Sequence, residues 1–417
     1  MSDDDPQAGQ PVFIQSPRKA RKGRGAVSNL QGRYEVLARE EIDDGWSYDS
    51  EADPEADSPT YADVAAATSV NHVPAFRTQV TEEHARTILS RNKSPDVPFS
   101  VSLNPYRGCE HGCIYCFARP THSYLGLSPG LDFESKIFAK VNAPDLLRRE
   151  LAKASYVPEP IALGVNTDAY QPCERELRLT RRVLEVLQEC EHPVALITKS
   201  SLIERDIDLL AEMAAKEQAM AAVTITTLDP AVSRTLEPRA AAPARRLRII
   251  RTLTDAGIPV GVSVAPVIPF VTEPDLERIL AAAAEAGAIN AGYVMLRLPW
   301  EVSPLFRQWL EAHFPERAER VMNRVRDMRG GKDYDSGFGT RMHGEGIWAD
   351  LIRQRFEKTV TRLGIGVRSG HFKGLDCSRF RAPPITPPTS SAVAPSARTA
   401  KVKDKDRERS SGQFELF

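Results

Sequence analysis

Short runs of apolar and β-branched residues recur along the middle of the chain, and longer mixed segments separate them. Five of these runs are evenly spaced, at residues 161–165, 194–198, 222–227, 259–264 and 292–296. Their starts lie 28 to 37 residues apart, which is the spacing of strand–helix units. A sixth run, at 99–103, lies upstream by about twice that distance. The pattern therefore predicts six strands, with an enlarged loop after the first.

The segments between the runs show the periodicity of helices. After Glu174, one face carries Leu177, Val183, Leu184 and Leu187, and arginines occupy the other face. Segments 243–256 and 274–286 each begin at a proline and end before a glycine, as helices commonly do. Six strand-then-helix units predict an α/β fold, a partial (β/α)6 TIM-like barrel with right-handed crossovers. In such folds, chemistry is located in the loops at the carboxyl ends of the strands.

The two ends of the chain lack this pattern. Residues 1–74 combine a basic patch at 18–24 with an acidic stretch and few large apolar residues, so we predict a disordered N-terminal arm. Binding of the patch to nucleic acid stays open beside a solvated arm. Residues 382–417, rich in proline, serine and charge, predict a disordered tail. Residues 301–381 predict a helical C-terminal extension packed on a core of residues 75–300. Its many arginines suit a solvated surface or an anionic substrate.

Composition narrows the functional class only slightly. The 417 residues include 55 Lys and Arg against 56 Asp and Glu, so net charge favours neither nucleic acid nor a membrane. No apolar run approaches membrane-spanning length, and the acidic start lacks the apolar region of a secretory signal. Six cysteines in so long a chain do not form a disulfide framework. We expect a cytoplasmic protein with no membrane partner.

Three of the cysteines crowd into one loop, which follows the first predicted strand. Residues 104–122 (the cysteine loop) read NPYRGCEHGCIYCFARPTH and contain Cys109, Cys113 and Cys116. Gly108 and Gly112 precede the first two cysteines and relieve crowding where the backbone must turn tightly. Thiolates are soft ligands that suit iron–sulfur clusters or zinc.

Two kinds of metal site fit this loop. A cubane cluster normally takes four cysteines, so three leave one iron open to bind a substrate or cofactor. The alternative is a structural zinc site in which His111 or His122 supplies the fourth ligand. Zinc sites usually pair such a loop with a distant second half, whereas the remaining cysteines are isolated, at Cys173, Cys190 and Cys377. The spacing therefore favours the cluster.

The motif C-x3-C-x2-C, with an aromatic residue before its last cysteine, resembles the signature of the radical S-adenosylmethionine (SAM) superfamily. The cysteine loop is similar to the spore photoproduct lyase-like branch, and more closely to an uncharacterised bacterial group within it. The likeness continues through TDAYQPCERELRLTR, ALITKSSLIERDIDLL, TTLDP, LEPRAAAPARRL, APVIPF and YVMLRLP, and it covers about residues 91–364.

The resemblance implies a radical SAM core with two cofactors. Cys109, Cys113 and Cys116 would hold a [4Fe–4S] cluster, and SAM would chelate the open iron. One electron would cleave SAM to methionine and a 5′-deoxyadenosyl radical, which abstracts a hydrogen atom from the substrate. A reductant such as flavodoxin or ferredoxin would be the electron-donating partner.

The resemblance also implies contacts to SAM, carried over to the matching positions of this chain. Tyr115 would lie near the adenine, Lys199 near the carboxylate, and Thr167 and Asp168 near the amino group. The positions expected to approach the ribose and adenine are Thr226 and Val267. The branch's hydrogen-donating cysteine is missing from residues 166–169, and Cys173 is either its displaced equivalent or a small buried hydrophobe.

Three functions therefore stand at this point. The first is a radical SAM enzyme, an oxidoreductase or lyase of unknown substrate. The second is repair or modification of nucleic acid, related to spore photoproduct lyase. The third is a non-catalytic, zinc-stabilised binding module.

Overall fold

The computed structural model describes residues 22–35, 77–367 and 374–384, and these form eleven strands. In chain order the strands are β1 (Gln79–Glu83), β2 (Leu89–Arg91), β3 (Val101–Leu103), β4 (Tyr106–Arg107), β5 (Lys136–Lys140), β6 (Ile161–Leu163), β7 (Val194–Thr198), β8 (Ala219–Thr224), β9 (Val260–Val267), β10 (Asn290–Met295) and β11 (Gly366–Val367). Strands β3 and β6 to β10 are the six predicted strands, each within three residues of its predicted bounds.

The larger sheet has the order β11-β10-β9-β8-β7-β6-β3-β2. Every neighbouring pair from β3 to β11 is parallel, and β2 lies antiparallel at the edge. Each predicted strand lies beside the next one along the chain, as right-handed crossovers require. Because β2 and β11 remain edges, the sheet does not close, and the predicted partial (β/α)6 barrel is confirmed.

Helices connect the strands and cover the sheet. They are α1 (Leu131–Ser135), α2 (Ala143–Leu151), α3 (Glu174–Leu177), α4 (Leu179–Glu189), α5 (Ile207–Ala214), α6 (Pro230–Leu236), α7 (Pro243–Asp255), α8 (Leu276–Glu285), α9 (Val302–His313), α10 (Pro315–Asp327) and α11 (Gly346–Leu363). Short 3-10 helices span Arg119–Leu125, Ser201–Asp206 and Glu273–Asp275. Among the helices of the described residues, none is long and apolar enough to cross a membrane.

The helix expected from Glu174 onward is broken near its start. Arg178 has a left-handed φ of 52°, so the short α3 ends there and α4 begins one residue later. The Glu174 carboxylate explains the break, because it accepts hydrogen bonds from the amides of Thr180 (3.0 Å) and Arg181 (3.4 Å). A carboxylate at this position satisfies amides that a helical turn leaves without partners.

The enlarged loop between β3 and β6 contributes β4 and β5 to a small second sheet of order β1-β5-β4, in which β1 precedes β3 in the chain. In it β5 is parallel to β1 and antiparallel to β4, so the chain after the cysteine loop returns to the strand that precedes it. The loop also contains α1, α2 and the 3-10 helix Arg119–Leu125. This second sheet anchors both ends of the cysteine loop.

The region beyond β10 is helical, as the pattern predicts, and it also contributes β11 to the sheet edge. Trp309 on α9 is fully buried and donates from Nε1 to the Thr235 carbonyl at 3.0 Å. Arg355 on α11 forms ion pairs with Glu273 and Glu277, which fixes α11 beside α8. The boundary between core and extension at residue 300 stays a prediction.

Residues 22–35 (the N-terminal segment), which belong to the arm predicted to be disordered, contact the core of the protein in the structure. The amides of Gly25 and Ala26 donate to the two carboxylate oxygens of Glu134, at 3.0 and 2.8 Å. Ala26 is fully buried in an apolar cluster with Cys113 and Ile114. Composition could not reveal this contact, because it depends on a few small residues that fit against a distant loop. The rest of the predicted arm, and the tail from residue 385 onward, lies outside the described residues.

At the amino ends of the strands, residues 374–384 (the C-terminal segment) pack on His192. The ring of Phe380 lies 5.3 Å from His192 and 5.5 Å from Tyr156. His192 donates from Nδ1 to the Pro193 carbonyl at 3.0 Å and accepts at Nε2 from the Tyr156 hydroxyl at 2.7 Å. Burial lowers the pKa of His192 to about 4.

His192 should make the fold sensitive to mild acid. Its folded-state pKa lies below the ordinary value of 6.5, so the unfolded chain takes up the proton first as pH falls. The associated stability is present above pH 6.5 and is lost towards pH 4. The wild type should lose unfolding free energy between pH 7 and pH 5. We expect this loss to be about 1–2 kcal/mol smaller in His192→Gln. Urea unfolding under oxygen-free conditions measures this, with the exposed His84→Gln as control. Equal pH profiles for both variants would contradict the assignment.

Candidate active site

A cavity of about 1110 Å³ opens at the carboxyl ends of the strands. Seven of the nine residues predicted to bind cofactors line it: Cys109, Cys113, Tyr115, Cys116, Thr167, Asp168 and Lys199. The structure thus brings together loops that follow β3, β6 and β7. Thr226 and Val267 do not line the cavity and are almost fully buried behind it, while Thr224, Ala265 and Pro266 provide the surface there.

The cysteine loop turns sharply at its glycines. Gly108 and Gly112 have φ values of 77° and 67°, a region that residues with a Cβ rarely adopt. A Cβ at Gly112 would lie 2.8 Å from a carboxylate oxygen of Glu134, so the backbone also passes too close for any other residue. The amide of Gly112 bonds the Cys109 carbonyl at 3.3 Å, and that of Cys116 bonds the Cys113 carbonyl at 3.2 Å. These turns direct three thiols to one cavity.

Arg119 connects the turns of the cysteine loop from within the protein. Its guanidinium donates to the carbonyls of Gly112, Cys113, Pro129 and Gly130, at distances between 2.9 and 3.1 Å. It also pairs with Glu134, and both side chains are fully buried. Because this loop has few backbone partners of its own, Arg119 satisfies carbonyls that would otherwise be buried without a donor.

The chemistry of the three thiols suits an iron–sulfur cluster. Burial raises the pKa of Cys109, and it raises the pKa of Cys113 to about 12. Deprotonation in such a place requires positive charge close to sulfur, and cluster irons provide it. In the part of the chain that the structure describes, no three His, Cys, Asp or Glu side chains converge on one metal ion. A cubane does not need such convergence, because each cysteine binds a different iron.

Behind Tyr115 lies a buried network of charges. The Tyr115 hydroxyl donates to Glu237, which also accepts from Thr226 Oγ1 at 2.6 Å and pairs with Arg246. Arg246 donates further to the carbonyls of Thr224 and Ala241, at 3.0 and 2.6 Å. Burial would raise the pKa of Glu237, but Arg246 and Lys199 hold it below its ordinary value. The network fixes the ring of Tyr115 at the cavity wall and gives Thr226 a role behind the wall.

Lys199 extends into the cavity beside Tyr115. Its Nζ lies 5.8 Å from the centre of the Tyr115 ring. Burial opposes its charge, yet the nearby Cys113 and Glu237 raise the pKa of Lys199 above its ordinary value. Within the described residues, Nζ has no hydrogen-bond or ion-pair partner. The structure therefore presents a permanent, unpaired cation next to the cysteines.

Asp168 is occupied by partners from this chain. Its carboxylate accepts from Thr198 Oγ1 (2.7 Å), from the amides of Lys199 (2.8 Å) and Tyr170 (2.9 Å), and from His111 Nδ1 (3.3 Å). Burial alone would raise the pKa of Asp168, but His111 and these donors lower it to about 2. Asp168 thus joins the end of β7 to His111 of the cysteine loop. Its predicted contact with SAM stays a prediction.

Two residues weighed in the sequence lie elsewhere. His122 is fully buried outside the cavity lining, where Nε2 donates to the Lys136 carbonyl at 2.9 Å and burial lowers its pKa to about 4. Cys173 also lies outside the lining and packs beside Tyr106 and Leu179. Neither is placed to act in the cavity.

Sequence reasoning missed three charged residues that shape the site, namely Glu134, Glu237 and Arg246. All three are buried. Glu134 connects the N-terminal segment to the cysteine loop, and Glu237, which pairs with Arg246 on α7, accepts from the distant Tyr115. Their positions in the sequence could have indicated the pair, because Glu237 directly follows α6 and Arg246 lies within α7. A charged residue on the apolar face of a helix indicates a buried partner.

Comparison with known proteins places this geometry in a family. The family model described as the radical SAM superfamily matches residues 103–283. The chain is 38% identical over 234 residues to "Uncharacterized protein Mb2609c" of Mycobacterium bovis, a match that covers 55% of this chain and 69% of that protein. It is 26% identical over 247 residues to "Uncharacterized protein MJ0683" of Methanocaldococcus jannaschii, covering 59% of this chain and 88% of that protein.

Among solved structures, the chain is similar to "Spore photoproduct lyase complexed with dinucleoside spore photoproduct". The TM-score is 0.50 at 15% identity, and the match covers 70% of this chain and 82% of that one. At this identity the likeness shows the fold, a barrel of the radical SAM type, and it fits the resemblance seen in the sequence. The chain belongs to the radical SAM superfamily, whose members use a [4Fe–4S] cluster and SAM.

Removing Arg119 should disrupt the cysteine loop. We expect Arg119→Gln to lower the free energy of unfolding by about 3–5 kcal/mol, because it leaves Glu134 buried without its counter-charge. Urea unfolding, with iron and sulfide content measured in parallel, tests this. The control is Arg148→Gln, which breaks an exposed pair with Glu189 and should cost less than about 1 kcal/mol. Similar losses in both variants would show that Arg119 does not organise the loop.

Proposed function

We propose that Cys109, Cys113 and Cys116 hold a [4Fe–4S] cluster at which SAM is reductively cleaved to begin hydrogen abstraction from a substrate. The observation that carries this proposal is the convergence of the three thiols and unpaired Lys199 on one cavity at the carboxyl ends of the strands. When bound, the cluster supplies one electron that splits SAM into methionine and a 5′-deoxyadenosyl radical. Radical SAM enzymes need a reductant, and a flavodoxin or ferredoxin suits this role in the cytoplasm.

The protein's own groups would bind and orient SAM. Lys199 offers a point charge for a carboxylate, and its raised pKa keeps it charged at neutral pH. Tyr115 presents a ring held by Glu237, which suits contact with a flat adenine. Thr167 lines the cavity, but its hydroxyl donates to the Tyr106 carbonyl at 3.2 Å and its amide donates to Asn104 Oδ1 at 3.4 Å, so its backbone carbonyl is the group left to accept from the SAM amino group.

Repair or modification of nucleic acid is the second candidate. Arg320 and Arg324 on α10 stack on Phe270 and Trp348, with distances of 4.0 and 4.6 Å to the respective ring centres. Arginine and aromatic side chains together suit a nucleic-acid strand. One observation argues against repair of the spore photoproduct lyase kind. The cavity lining in the described residues has no fourth cysteine to return a hydrogen atom. Binding to oligonucleotides that weakens steeply with salt would support this candidate, and binding independent of salt would exclude it.

Formation of 5′-deoxyadenosine tests the main proposal. We expect the reconstituted protein, reduced by dithionite without oxygen, to contain iron and acid-labile sulfide and to convert SAM to 5′-deoxyadenosine. Cys113→Ala should abolish the product, because a missing ligand prevents assembly of the cluster. Cys377→Ala, in the C-terminal segment, is the matched control and should retain it. Stoichiometric zinc without sulfide, and no 5′-deoxyadenosine, would instead support the zinc-stabilised binding module.

Lys199→Gln tests the carboxylate contact separately from cluster assembly. We expect SAM to bind about ten- to hundred-fold more weakly, the effect of losing a charged hydrogen bond, while iron content stays unchanged. Equilibrium binding of labelled SAM to the cluster-loaded protein measures this. Lys153→Gln is the control, since Lys153 is exposed and precedes β6 at the other end of the strands. Unchanged SAM affinity in Lys199→Gln would remove Lys199 from the cofactor site.

A further inference from the structure

The charges that line the cavity are unevenly paired. Among its acids, Asp96 accepts two hydrogen bonds from Arg341, Asp168 pairs with His111, and Asp350 pairs with Arg353, while Glu357 is exposed. Two cations remain without a carboxylate partner among the described residues. One is Lys199, beside the cysteines. The other is Arg297, which follows β10 on the far side of the open sheet.

Arg297 lies in the cavity wall with its hydrogen-bonding capacity almost unused. Its Nε is buried and has no partner in the described structure. Nη1 contacts the Met342 sulfur, a weak acceptor, at 3.5 Å, and Nη2 lies 3.4 Å from the Tyr334 hydroxyl, which is a long contact. The remaining contact is to the ring of Phe117, whose centre lies 5.2 Å from the guanidinium carbon. Phe117 belongs to the cysteine loop, so Arg297 faces the cluster side of the cavity.

Three buried arginines of this protein are paired with carboxylates. Arg119 and Arg246 each pair with a buried carboxylate and donate to several carbonyls. Arg341 binds Asp96 through two nitrogens, at 2.6 and 2.7 Å. Arg119, Arg246 and Arg341 thus each have a carboxylate partner, whereas Arg297, which is half-buried, faces the cavity without one in the described structure.

A second positive charge lies directly behind Arg297. Arg329 is 4% exposed and donates to the carbonyls of Leu296 (3.0 Å) and Thr340 (2.7 Å), with no carboxylate partner in the part of the chain described. Burial, and after it the charge of Arg297, lowers the pKa of Arg329 to about 10. The two neighbouring cations repel each other, and the nearby carboxylates Asp96 and Asp335 offset this repulsion only in part. A bound anion would relieve this repulsion.

We propose that Arg297 binds an oxyanion of the substrate, a carboxylate or a phosphate, and so anchors the substrate in the cavity. The planar edge formed by Nε and an Nη nitrogen matches two oxygens of either group. This inference rests on the proposed function, in which Lys199 serves the SAM carboxylate and leaves Arg297 for the substrate. Two strands, β8 and β9, lie between the strands that carry the two cations, so one cavity provides separate anion sites for cofactor and substrate.

The proposed role of Arg297 makes a prediction about thermal stability. A guanidinium kept unpaired for a ligand destabilises the empty protein, so its removal should not weaken the fold. In sodium chloride, we expect Arg297→Gln to unfold at the same temperature as the wild type or higher. A merely structural arginine would give the opposite result. Arg353→Gln is the matched control, because Arg353 lines the same cavity but is exposed and paired with Asp350.

The experiment uses protein that carries the cluster and SAM, without oxygen. Chloride is replaced stepwise by sodium phosphate or sodium acetate at constant ionic strength, and the thermal unfolding midpoint is followed. We expect a saturable rise for the wild type and for Arg353→Gln. The half-saturating concentration should be about ten- to hundred-fold higher for Arg297→Gln, which loses a charged contact. A response to phosphate alone indicates a phosphorylated substrate, and a response to acetate alone indicates a carboxylate.

Three results would overturn the proposal. They are an Arg297→Gln protein that unfolds several degrees lower in chloride, a wild type without a saturable response to either anion, and equal responses in wild type and Arg297→Gln. Cleavage of SAM without substrate should persist in Arg297→Gln, and its loss would place Arg297 at the cofactor instead. Because anion binding is read from unfolding, it is measured independently of 5′-deoxyadenosine formation. The two proposals therefore fail separately.

Discussion

Arg119 and Glu134 form an ion pair with both side chains fully buried, and the shape of the cysteine loop depends on it. A loop that presents three thiols to one cavity cannot also form regular backbone ladders, so its carbonyls need other donors. Arg119 supplies them to four carbonyls, two within the loop and two in the turn ahead of α1. Glu134 balances the charge and also accepts from the amides of Gly25 and Ala26. One pair thus holds the cysteine loop, α1 and the N-terminal segment together.

Two further buried pairs hold other loops around the cavity. Glu237 and Arg246 join the loop after α6 to α7 and hold Tyr115 in place. His111 and Asp168 join the cysteine loop to the end of β7. Desolvating such pairs is costly, and removing one partner leaves a buried charge without compensation. What they provide is position, because they connect loops that no sheet hydrogen bonds join. The loops are therefore held in position by side chains of the protein itself.

The contrast between elements joined in the sheet and loops held by buried ion pairs explains which parts of the structure can be predicted from the sequence. The six strands are predictable because each contains an apolar run, and β3, β6, β7 and β9 are buried along almost their whole length. The three thiols are predictable because they are close together in sequence. The break at Arg178 was missed because Glu174 caps α4 through its side chain, which overrides a continuous helical period. The N-terminal segment was missed because its binding depends on two backbone amides and a distant carboxylate. Thr226, expected at the cavity, lies behind it because β8 ends three residues earlier than the pattern indicates.

The pairing of buried charges also separates stability from function. A side chain that supports the fold has its hydrogen bonds satisfied within the chain, as Arg119, Arg246 and Asp168 do. A side chain that serves a ligand must keep its bonding capacity available and carries a cost until the ligand arrives. Lys199 and Arg297 meet this description, since both are cations that face the cavity without a carboxylate in the described structure. In the proposed arrangement, the SAM carboxylate binds at Lys199 and an oxyanion of the substrate binds at Arg297, so each molecule has its own cation in the cavity.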